Sequence, residues 1–364
     1  MEQSTEKKKI KILHLAESFG GGVYTIVKAI TEGTCEEFDV TLAFAWRPQT
    51  PLDFMEKMNP RVHLIPLKNF EREIHLLKDW KAITETRELI RRVQPDIVHL
   101  HSSKAGAIGR IAADCKKIPV LYTPHGYSFQ KKDDTFWKRR FYTYIEKMVA
   151  KMGGLTVACS KGEWTTAKTI TDRATYVNNG INIEHLPVKE RKFKTKYRFC
   201  TIGRICMQKN PGVFNDIARA FPEEEFTWIG DGELAHMLTS ANITITGWKD
   251  PQEATELLAG QDIFLLPSLW EGLSVALLEA MYLKCICIAS RIPSTREVLE
   301  HGVSGFLAEK TEEYIEMIRE ILDGVYDLDA ISERAHQDVL ENYTLDVMCG
   351  EYRKLYRELG GKSE

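Results

Sequence analysis

The chain has 364 residues, of which 43% are hydrophobic and 28% are charged, and its formal net charge at pH 7 is −3. This composition is typical of a folded protein and excludes a highly charged disordered chain or a strongly basic binder of nucleic acid. The length exceeds that of one ordinary core, so we expect two domains with a cleft between them.

The amino terminus lacks the apolar segment of a signal peptide, and no later run reaches 18 uncharged apolar residues. We therefore expect a cytoplasmic protein that contacts a membrane at most from its surface. The eight cysteines show neither a CxxC pair nor a zinc-type spacing, so we expect buried free thiols.

Strand patterns alternate with helical patterns along the first half of the chain. Such alternation indicates βαβ units and hence a parallel sheet covered by helices. We predict strands at 9–16, 38–45, 96–102, 118–126, 154–160 and 174–181, and helices at 23–33, 79–93, 134–152 and 161–170.

A polar, basic and aperiodic stretch at 182–198 interrupts the alternation, and we interpret it as the link between two domains. The alternation then restarts, so the fold class is α/β with two doubly wound parallel sheets. We predict strands at 199–205, 224–233, 243–250, 262–268, 285–290 and 305–310, and a helix at 274–283.

Glycines separate the first predicted strand from the first predicted helix. Gly21 and Gly22 lie where small residues let backbone amides approach a phosphate at a helix N-terminus. We favour anion or donor binding there. A structural tight turn and a dinucleotide site stay open as alternatives, although the spacing is not GxGxxG.

Arg204, Lys209 and His125 all follow predicted strand ends, where open α/β sheets bind ligands. An arginine fork and a lysine point charge suit a diphosphate, although in isolation this pattern favours ordinary exposed cations. His125 stands between a proline and a glycine, so we expect a loop to present it. A lone histidine is usually not catalytic, and both interpretations stay open.

Glu271 and Glu279 lie eight positions apart in an apolar segment. If the whole segment is helical, the two residues are about 12 Å apart along its axis. That distance is too long for a pair of carboxylates that flank one glycosidic bond. It suits two contacts along an extended ligand, and ordinary helix-terminal glutamates are the alternative.

Together these residues resemble the retaining glycosyltransferases of the GT-B fold, specifically the family 4 type, over nearly the whole chain. The most specific patterns are E-x7-E at 271–279 and GR-x4-K at 203–209. The supporting patterns are GGV at 21–23, TPHG at 123–126, NNGIN at 178–182 and GDGE at 230–233.

The resemblance implies two Rossmann-like domains that face a central cleft. Residues 1–187 plus about 345–364 would form the acceptor-side domain, and residues 188–344 would form the domain that binds the nucleotide-sugar donor. The last helix would cross back to the first domain.

The same resemblance implies a role for each motif residue. Glu271 would contact the donor sugar, Glu279 the ribose, and His125 the vicinity of the reacting sugar. The catalytic set would be His125, Glu271, Arg204 and Lys209, and the donor-binding set would be Gly21, Gly22, Gly203, Arg204, Lys209, Gly230, Trp248, Glu271, Gly272, Leu273, Ser274 and Glu279.

The implied reaction is transfer of a hexose with retention from a nucleotide-sugar donor, expected to be a UDP-sugar. The acceptor would be a glycan or lipid-linked glycan in capsular polysaccharide, exopolysaccharide or lipopolysaccharide biosynthesis. We expect no cofactor and no metal, because Asp327 and Asp329 fall in the predicted helical tail and Asp133 and Asp134 at a helix start. A sugar-nucleotide epimerase of the same fold and a non-catalytic nucleotide-sugar-binding scaffold are the alternatives.

Two features of the first half bear on the acceptor. Lys104 follows a strand end, and we predict that it faces the cleft. The stretch 131–151 carries seven basic and three acidic residues among aromatic ones, which permits contact with an anionic membrane. The helical spacing of Trp137, Phe141, Tyr144 and Met148 favours a core-facing stripe instead.

Overall fold

Two parallel β-sheets, each flanked by helices, form the framework of the protein in a computed structural model. The structure describes residues 8–48, 50–71, 75–130, 134–184, 186–187 and 196–361. The strands are β1 (Lys11–Ala16), β2 (Asp39–Phe44), β3 (His63–Pro66), β4 (Ile97–His101), β5 (Val120–Thr123), β6 (Leu155–Ala158), β7 (Ala174–Tyr176), β8 (Arg198–Ile202), β9 (Glu225–Ile229), β10 (Ile243–Ile245), β11 (Ile263–Leu266), β12 (Ile286–Ser290) and β13 (Phe306–Ala308).

Helices connect the strands and close the chain. They are α1 (Gly21–Thr34), α2 (Phe54–Lys57), α3 (Leu76–Val93), α4 (Ser103–Ala112), α5 (Phe136–Ala150), α6 (Lys161–Lys168), α7 (Pro211–Ala220), α8 (Pro251–Ala259), α9 (Val275–Tyr282), α10 (Pro293–Arg296), α11 (Thr311–Leu322), α12 (Leu328–Asn342) and α13 (Leu345–Gly360).

The two sheets have the same winding. The first sheet has the order β3-β2-β1-β4-β5-β6-β7, and the second has the order β10-β9-β8-β11-β12-β13. Neighbouring strands are parallel throughout, for example β1 with β4 and β8 with β11. The predicted α/β class with two doubly wound sheets is therefore confirmed. In each sheet the strand order reverses at one point, between β1 and β4 and between β8 and β11.

Burial explains which strands the sequence reveals. All five residues of the central strand β4 are buried, as expected for a parallel strand covered on both faces. The edge strand β3 has no fully buried residue and was not predicted.

Helix α13 packs on the first sheet's side of the molecule. Met348, Cys349, Tyr352 and Tyr356 are buried in the same cluster as β1, β2 and α1. A Cβ at Gly33 would lie 2.3 Å from Cys349 Sγ, so glycine lets α1 and α13 approach. The boundary placed at residues 187 and 188 lies next to residues 188–195, which are outside the described part of the chain.

The aromatic stripe of α5 contradicts the interpretation that the sequence favoured. Trp137 is 76% exposed, Tyr144 62% and Phe141 53%, so these residues do not face the core. Helix α5 instead turns Glu146 and Val149 inward, where Glu146 accepts a hydrogen bond from the Tyr122 hydroxyl at 2.9 Å. Two stripes of residues have helical spacing on α5, and the buried stripe is the one that contains Glu146.

The cysteines agree with the sequence prediction. None of the eight, all of which lie among the described residues, forms a disulfide, and each is buried except Cys115, which is partly accessible. Among the described helices, none combines the length and the hydropathy that a membrane span needs.

Candidate functional site

The two points where strand order reverses hold most of the residues that the sequence singled out. Gly21 and Gly22 begin α1 directly after β1, and His125 follows β5. Gly203 and Arg204 follow β8. Ligands of open α/β sheets bind at the carboxyl ends of strands beside such reversals. The loops after these strands therefore define the candidate site.

Lys209 and Glu271 form the central ion pair of the second domain's edge. Lys209 Nζ lies 2.7 Å from Glu271 Oε1, and both side chains are largely buried. Gln208 Nε2 donates to Glu271 Oε2 at 3.2 Å and to the Trp270 carbonyl at 3.0 Å. The neighbouring amide thus holds the carboxylate on its other oxygen. Gln208 was missed in the sequence because a lone glutamine carries no motif.

Arg204 is less constrained than Lys209. Its guanidinium lies 3.6 Å from Glu233 and keeps 35% of its side-chain surface exposed. Gly230 has φ 140°, and a Cβ there would lie 2.3 Å from the Gly203 carbonyl oxygen. Glycine at 230 therefore allows the loops after β8 and β9 to approach each other. Trp248, on the next loop, is 55% exposed and presents its ring to solvent.

Helix α9 agrees with the predicted helix at 274–283 to within one residue at each end, and it does not extend back to Glu271. Helix α9 begins at Val275, and the Ser274 hydroxyl accepts from Leu277 N at 3.3 Å as its N-cap. Glu271 therefore belongs to the preceding loop, and the estimate of 12 Å, which assumed one continuous helix, does not apply. Gly272, Leu273 and Ser274 lead into the N-terminus of α9, where the helix dipole favours anions.

Glu279 lies inside α9 and is partly buried. Burial raises the pKa of its carboxyl group to about 7. Within the described part of the chain, no residue donates a hydrogen bond to this carboxylate or forms an ion pair with it. A buried carboxylate is usually partnered, so the side chain is available to a ligand.

The loop that carries Glu271 contacts the first domain. A Cβ at Gly272 would lie 2.9 Å from Cys159 Sγ and 3.3 Å from Gly126 N, which is adjacent to His125. The Ser160 hydroxyl donates to the Gly272 carbonyl at 3.2 Å. His125 and Glu271 are therefore next to the same point of contact between the two domains.

His125 is held by His101, which is in turn hydrogen-bonded to His14. Its backbone has φ 52°, and its Nε2 lies 3.0 Å from His101 Nδ1. His101 Nε2 lies 3.0 Å from His14 Nδ1. His14 and His101 were missed in the sequence because strands normally contribute such residues to the core. The available signal was the presence of a histidine within each of two apolar strand patterns, "ILHL" and "VHLH".

Three of the strand histidines lie close enough to suggest a metal site. His14, His99 and His101 place ligand atoms within 4.8 Å of one another. Most of their nitrogens already form hydrogen bonds, since His99 contacts Tyr356 and Thr123, and only His14 Nε2 lacks a partner among the described residues.

Two acidic residues that the sequence analysis assigned to helices, and not to a metal site, do stabilise helices. Asp327 caps α12. Asp134 pairs with Lys138, whereas Asp133 lies outside the described residues.

The glycine loop and Lys104 differ in their contacts with the rest of the protein. Gly21 and Gly22 are exposed, and a Cβ at either position would meet nothing within 4 Å. Among the described residues, no side chain caps the N-terminus of α1. Lys104, in the first turn of α4, pairs with Asp79 of α3 at 2.7 Å.

Comparison with known proteins covers both halves of the chain. The family described as "Glycosyl transferase 4-like domain" matches residues 21–170, and the family described as "Glycosyl transferases group 1" matches residues 196–324. The two matches together span well over half of the chain.

Two curated relatives are similar over most of their length. The UDP-Gal:alpha-D-GlcNAc-diphosphoundecaprenol alpha-1,3-galactosyltransferase of Escherichia coli is 28% identical, with 89% of this chain and 90% of that protein covered. The capsular polysaccharide biosynthesis glycosyltransferase CapM of Staphylococcus aureus is 22% identical, with 84% and 87% covered.

Solved structures share the fold at low identity. The sucrose-phosphate synthase of Thermosynechococcus elongatus has a TM-score of 0.83 at 14% identity, covering 97% of this chain and 100% of that one. Anabaena HepE in complex with UDP and glucose has a TM-score of 0.76 at 15% identity, covering 96% and 100%.

Proposed function

Since this chain belongs to the glycosyltransferases with the GT-B fold, we propose that it moves a sugar from a UDP-sugar to a glycan or lipid-linked glycan with retention at the anomeric carbon. The observation that carries the proposal is the pairing of Lys209 with Glu271 beside Arg204 at the strand-order reversal of the second sheet. Two cations and a carboxylate there suit a diphosphate joined to a sugar.

The geometry of that edge supports the proposed donor contacts. Arg204 and Lys209 bind the diphosphate, and the amides that lead into α9 add the positive end of the helix dipole. Glu271 accepts hydrogen bonds from sugar hydroxyls, and the unpartnered Glu279 accepts them from the ribose. Trp248 stacks on the base. The E. coli relative is named for UDP-Gal, and HepE was solved with UDP, which supports uridine as the base.

The proposed transfer proceeds on one face of the sugar. The bond from the anomeric carbon to the diphosphate breaks as the acceptor oxygen bonds to that carbon. The acceptor's hydroxyl proton moves to the departing phosphate. Arg204 and Lys209 stabilise the negative charge that grows on the phosphate, so they act more strongly in the transition state than in the ground state. The two side chains supply this charge without a metal.

The acceptor is proposed to be a lipid-linked glycan of surface polysaccharide assembly. The E. coli relative is named for a diphosphoundecaprenol acceptor, and CapM for capsular polysaccharide. We propose that Lys104 lies on the acceptor path, because its ammonium is held at the start of α4 by Asp79. It would attract the phosphates of such an acceptor when the acceptor competes with Asp79.

The exposed side of α5 supports contact with an anionic bilayer at the cytoplasmic face. Its aromatic residues reach solvent, and the neighbouring basic side chains are exposed as well. Aromatic rings and cations together suit the headgroup region of anionic lipids. The exposed aromatic residues are Phe136, Trp137, Phe141 and Tyr144, and the exposed cations are Lys138, Arg139, Arg140, Lys147 and Lys151.

Vesicle flotation tests the membrane contact. The wild-type chain should float with vesicles that contain phosphatidylglycerol, and far less with purely zwitterionic vesicles. A variant with Trp137→Ser, Phe141→Ser and Tyr144→Ser should lose flotation, while Val303→Ser with Val325→Ser, which changes exposed residues of the second domain, should retain it. Equal flotation of both variants would contradict the role of α5.

Donor turnover tests the proposed activity. The purified chain is incubated with labelled UDP-, GDP- and ADP-sugars in EDTA, with and without a synthetic lipid-diphosphate sugar acceptor. We expect one UDP-sugar to be transferred, and NMR to show the donor's anomeric configuration in the product. An inverted product would contradict retention, and dependence on added Mg²⁺ would contradict metal independence.

The same assay separates the alternatives. An epimerase would convert the donor sugar without an acceptor, whereas a scaffold would bind the donor and leave it unchanged. Neither relative described above is named as an epimerase. Accumulation of an epimeric UDP-sugar without transfer would replace the proposed activity.

A further inference from the structure

Three histidines form a hydrogen-bonded chain from the interior of the first sheet to the cleft. His14 lies in β1 and His101 ends β4, the two strands between which the strand order reverses. The ring nitrogens are 3.0 Å apart at both links, His14 to His101 and His101 to His125. The rings of His14 and His101 are nearly parallel, with 6° between their planes. No role in the proposed transfer is yet assigned to His14 or His101.

The two ends of the chain have different surroundings. His14 Nε2 is fully buried and has no hydrogen-bond partner among the described residues. His125 Nδ1 also has no partner in that part of the chain, but it is not among the buried unpartnered atoms, and the residue is partly accessible. Since His125 is next to the loop that carries Glu271, this nitrogen faces the solvent of the cleft.

All three rings are neutral at physiological pH. Burial lowers the pKa of His14 to about 3 and that of His125 to about 4, and it lowers the pKa of His101 as well. A neutral imidazole carries one N–H and one acceptor nitrogen. Each ring therefore donates on one side and accepts on the other, and only two directions are open to the whole chain.

The two directions leave different atoms unpaired. If the hydrogens point from His125 towards His14, a buried N–H of His14 has no acceptor. If they point from His14 towards His125, His14 retains only an unused acceptor nitrogen. Orphaned buried N–H groups are rarer in proteins than underused acceptors. The second direction is favoured, and it places the N–H of His125 on Nδ1.

We propose that His14 and His101 are positioning residues that hold His125 as the Nδ1–H tautomer, so that His125 donates a hydrogen bond into the cleft. The proposal rests on the proposed function for the identity of the acceptor atom, an oxygen of the donor sugar. His125 then cannot take a proton at the atom that faces the substrate. The acceptor's proton must go elsewhere, in agreement with its transfer to the departing phosphate.

NMR of the wild-type chain tests the tautomer directly. Long-range 1H–15N spectra of full-length protein labelled with 15N-histidine distinguish protonated from unprotonated ring nitrogens, and His125→Asn assigns the signal. We expect Nδ1 of His125 to be protonated and Nε2 unprotonated at pH 7.5, with and without UDP. An Nε2–H tautomer of His125 would overturn the proposal whatever the activity.

A set of variants tests the positioning role. Leucine at 101 cannot hydrogen-bond, whereas glutamine can accept from His14 and donate to His125. In His101→Leu, His125 should no longer be held as the Nδ1–H tautomer. The variant should lower kcat/KM for the UDP-sugar by about tenfold, the size of one lost hydrogen bond. His101→Gln should restore the Nδ1–H signal and most of the activity.

His99→Gln is the matched control. His99 is as buried as His101 and lies beside it, but it is not one of the three hydrogen-bonded histidines. It should leave the His125 tautomer and kcat/KM unchanged. If His101→Leu retains the wild-type tautomer, or if glutamine rescues neither signal nor activity, the positioning role is wrong. An Nδ1–H signal of His125 in a protein that transfers no UDP-sugar would contradict the proposed function. It would still agree with the proposed positioning role of His14 and His101.

Discussion

The two edges of the cleft are built from opposite kinds of chemistry. On the first domain's edge, the histidines are neutral, and those of the strands are buried and satisfy mostly one another. On the second domain's edge, Arg204 and Trp248 are partly exposed, and Glu279 has no partner within the described residues. The strand histidines are therefore almost fully paired within the protein, whereas the second edge has, besides its Lys209–Glu271 ion pair, side chains that are exposed or without a partner among the described residues.

This difference predicts how substitutions on each edge will act. Groups that pair within the protein contribute to folding, because removal of one leaves a buried partner unsatisfied. Groups that await a ligand contribute to binding, and their loss leaves the fold nearly unchanged. The following experiments test that division, from the largest expected effect to the smallest.

Lys209→Ala should lower kcat/KM for the UDP-sugar by about 100-fold, because a charged hydrogen bond contributes about 1.5 to 3 kcal/mol. The free energy of unfolding should fall as well, by about 1 to 3 kcal/mol, because the largely buried Glu271 then keeps only its bond from Gln208. Steady-state kinetics and urea denaturation measure the two effects. Lys196→Ala, at an exposed lysine near the start of β8, is the control and should change neither.

His99→Leu should lower stability and leave UDP binding unchanged. It removes the partners of the Tyr356 hydroxyl at 2.8 Å and of Thr123 Oγ1 at 2.9 Å, both buried. We expect a loss of about 2 to 4 kcal/mol in the free energy of unfolding, from unsatisfied polar groups and lost packing. UDP affinity of the folded protein should stay unchanged. A large loss of UDP affinity in calorimetry, with stability intact, would break the proposed division.

Arg204→Ala should weaken UDP binding by about tenfold, less than Lys209→Ala weakens turnover, because the guanidinium is more exposed and its charge better screened. Isothermal calorimetry without metal measures the affinity. Arg219→Ala, at an exposed arginine of α7, should bind UDP as the wild type does. Unchanged affinity in Arg204→Ala would remove this residue from the diphosphate site.

Glu279 supplies a pH-dependent test. Burial raises its folded pKa from 4.5 to about 7, so the folded state holds a proton that the unfolded state releases between those values. Its contribution to stability is therefore complete below pH 4.5 and declines as pH rises to about 7. Glu279→Gln should lack this decline, so its gain in Tm over the wild type should be larger at pH 8 than at pH 5.

Donor binding should depend on the same group in the opposite sense. The ionised carboxylate is the better acceptor for ribose hydroxyls, so affinity for a UDP-sugar should rise severalfold from pH 6 to pH 8 in the wild type. Glu279→Gln should bind more weakly at pH 8 and show a flat profile. A UDP-sugar is used because its doubly esterified diphosphate does not titrate near pH 7. Parallel profiles of the two proteins would contradict the ribose contact.

The sequence placed the residues of the second edge together more easily than those of the first, for a physical reason. Arg204 and Lys209 lie in one loop after one strand, so local pattern alone places them together. His14, His101 and His125 come from three separate segments and meet only through the pairing of β1 with β4 and of β4 with β5. No local pattern encodes that meeting.

The wrong prediction for the aromatic stripe of α5 has a related origin. Two faces of α5 have helical spacing, and the inward face is the one that buries Val149 and the contact of Glu146 with Tyr122. In the E-x7-E segment, the helix was predicted at 274–283 and is observed at Val275–Tyr282, where the Ser274 cap fixes its first residue and leaves Glu271 in the preceding loop. Composition indicates that a helix exists, but tertiary contacts and caps determine its orientation and its first residue.

The most direct test of the account compares UDP with a UDP-sugar on the wild type and on His125→Ala. We predict that both proteins bind UDP with equal affinity in calorimetry without metal, because we propose that the second edge holds the nucleotide. Turnover of the UDP-sugar should fall by about tenfold or more in His125→Ala, because the first edge orients the sugar. Failure of the wild type to bind UDP at millimolar concentration, or an equal loss of UDP affinity and turnover in His125→Ala, would contradict the account.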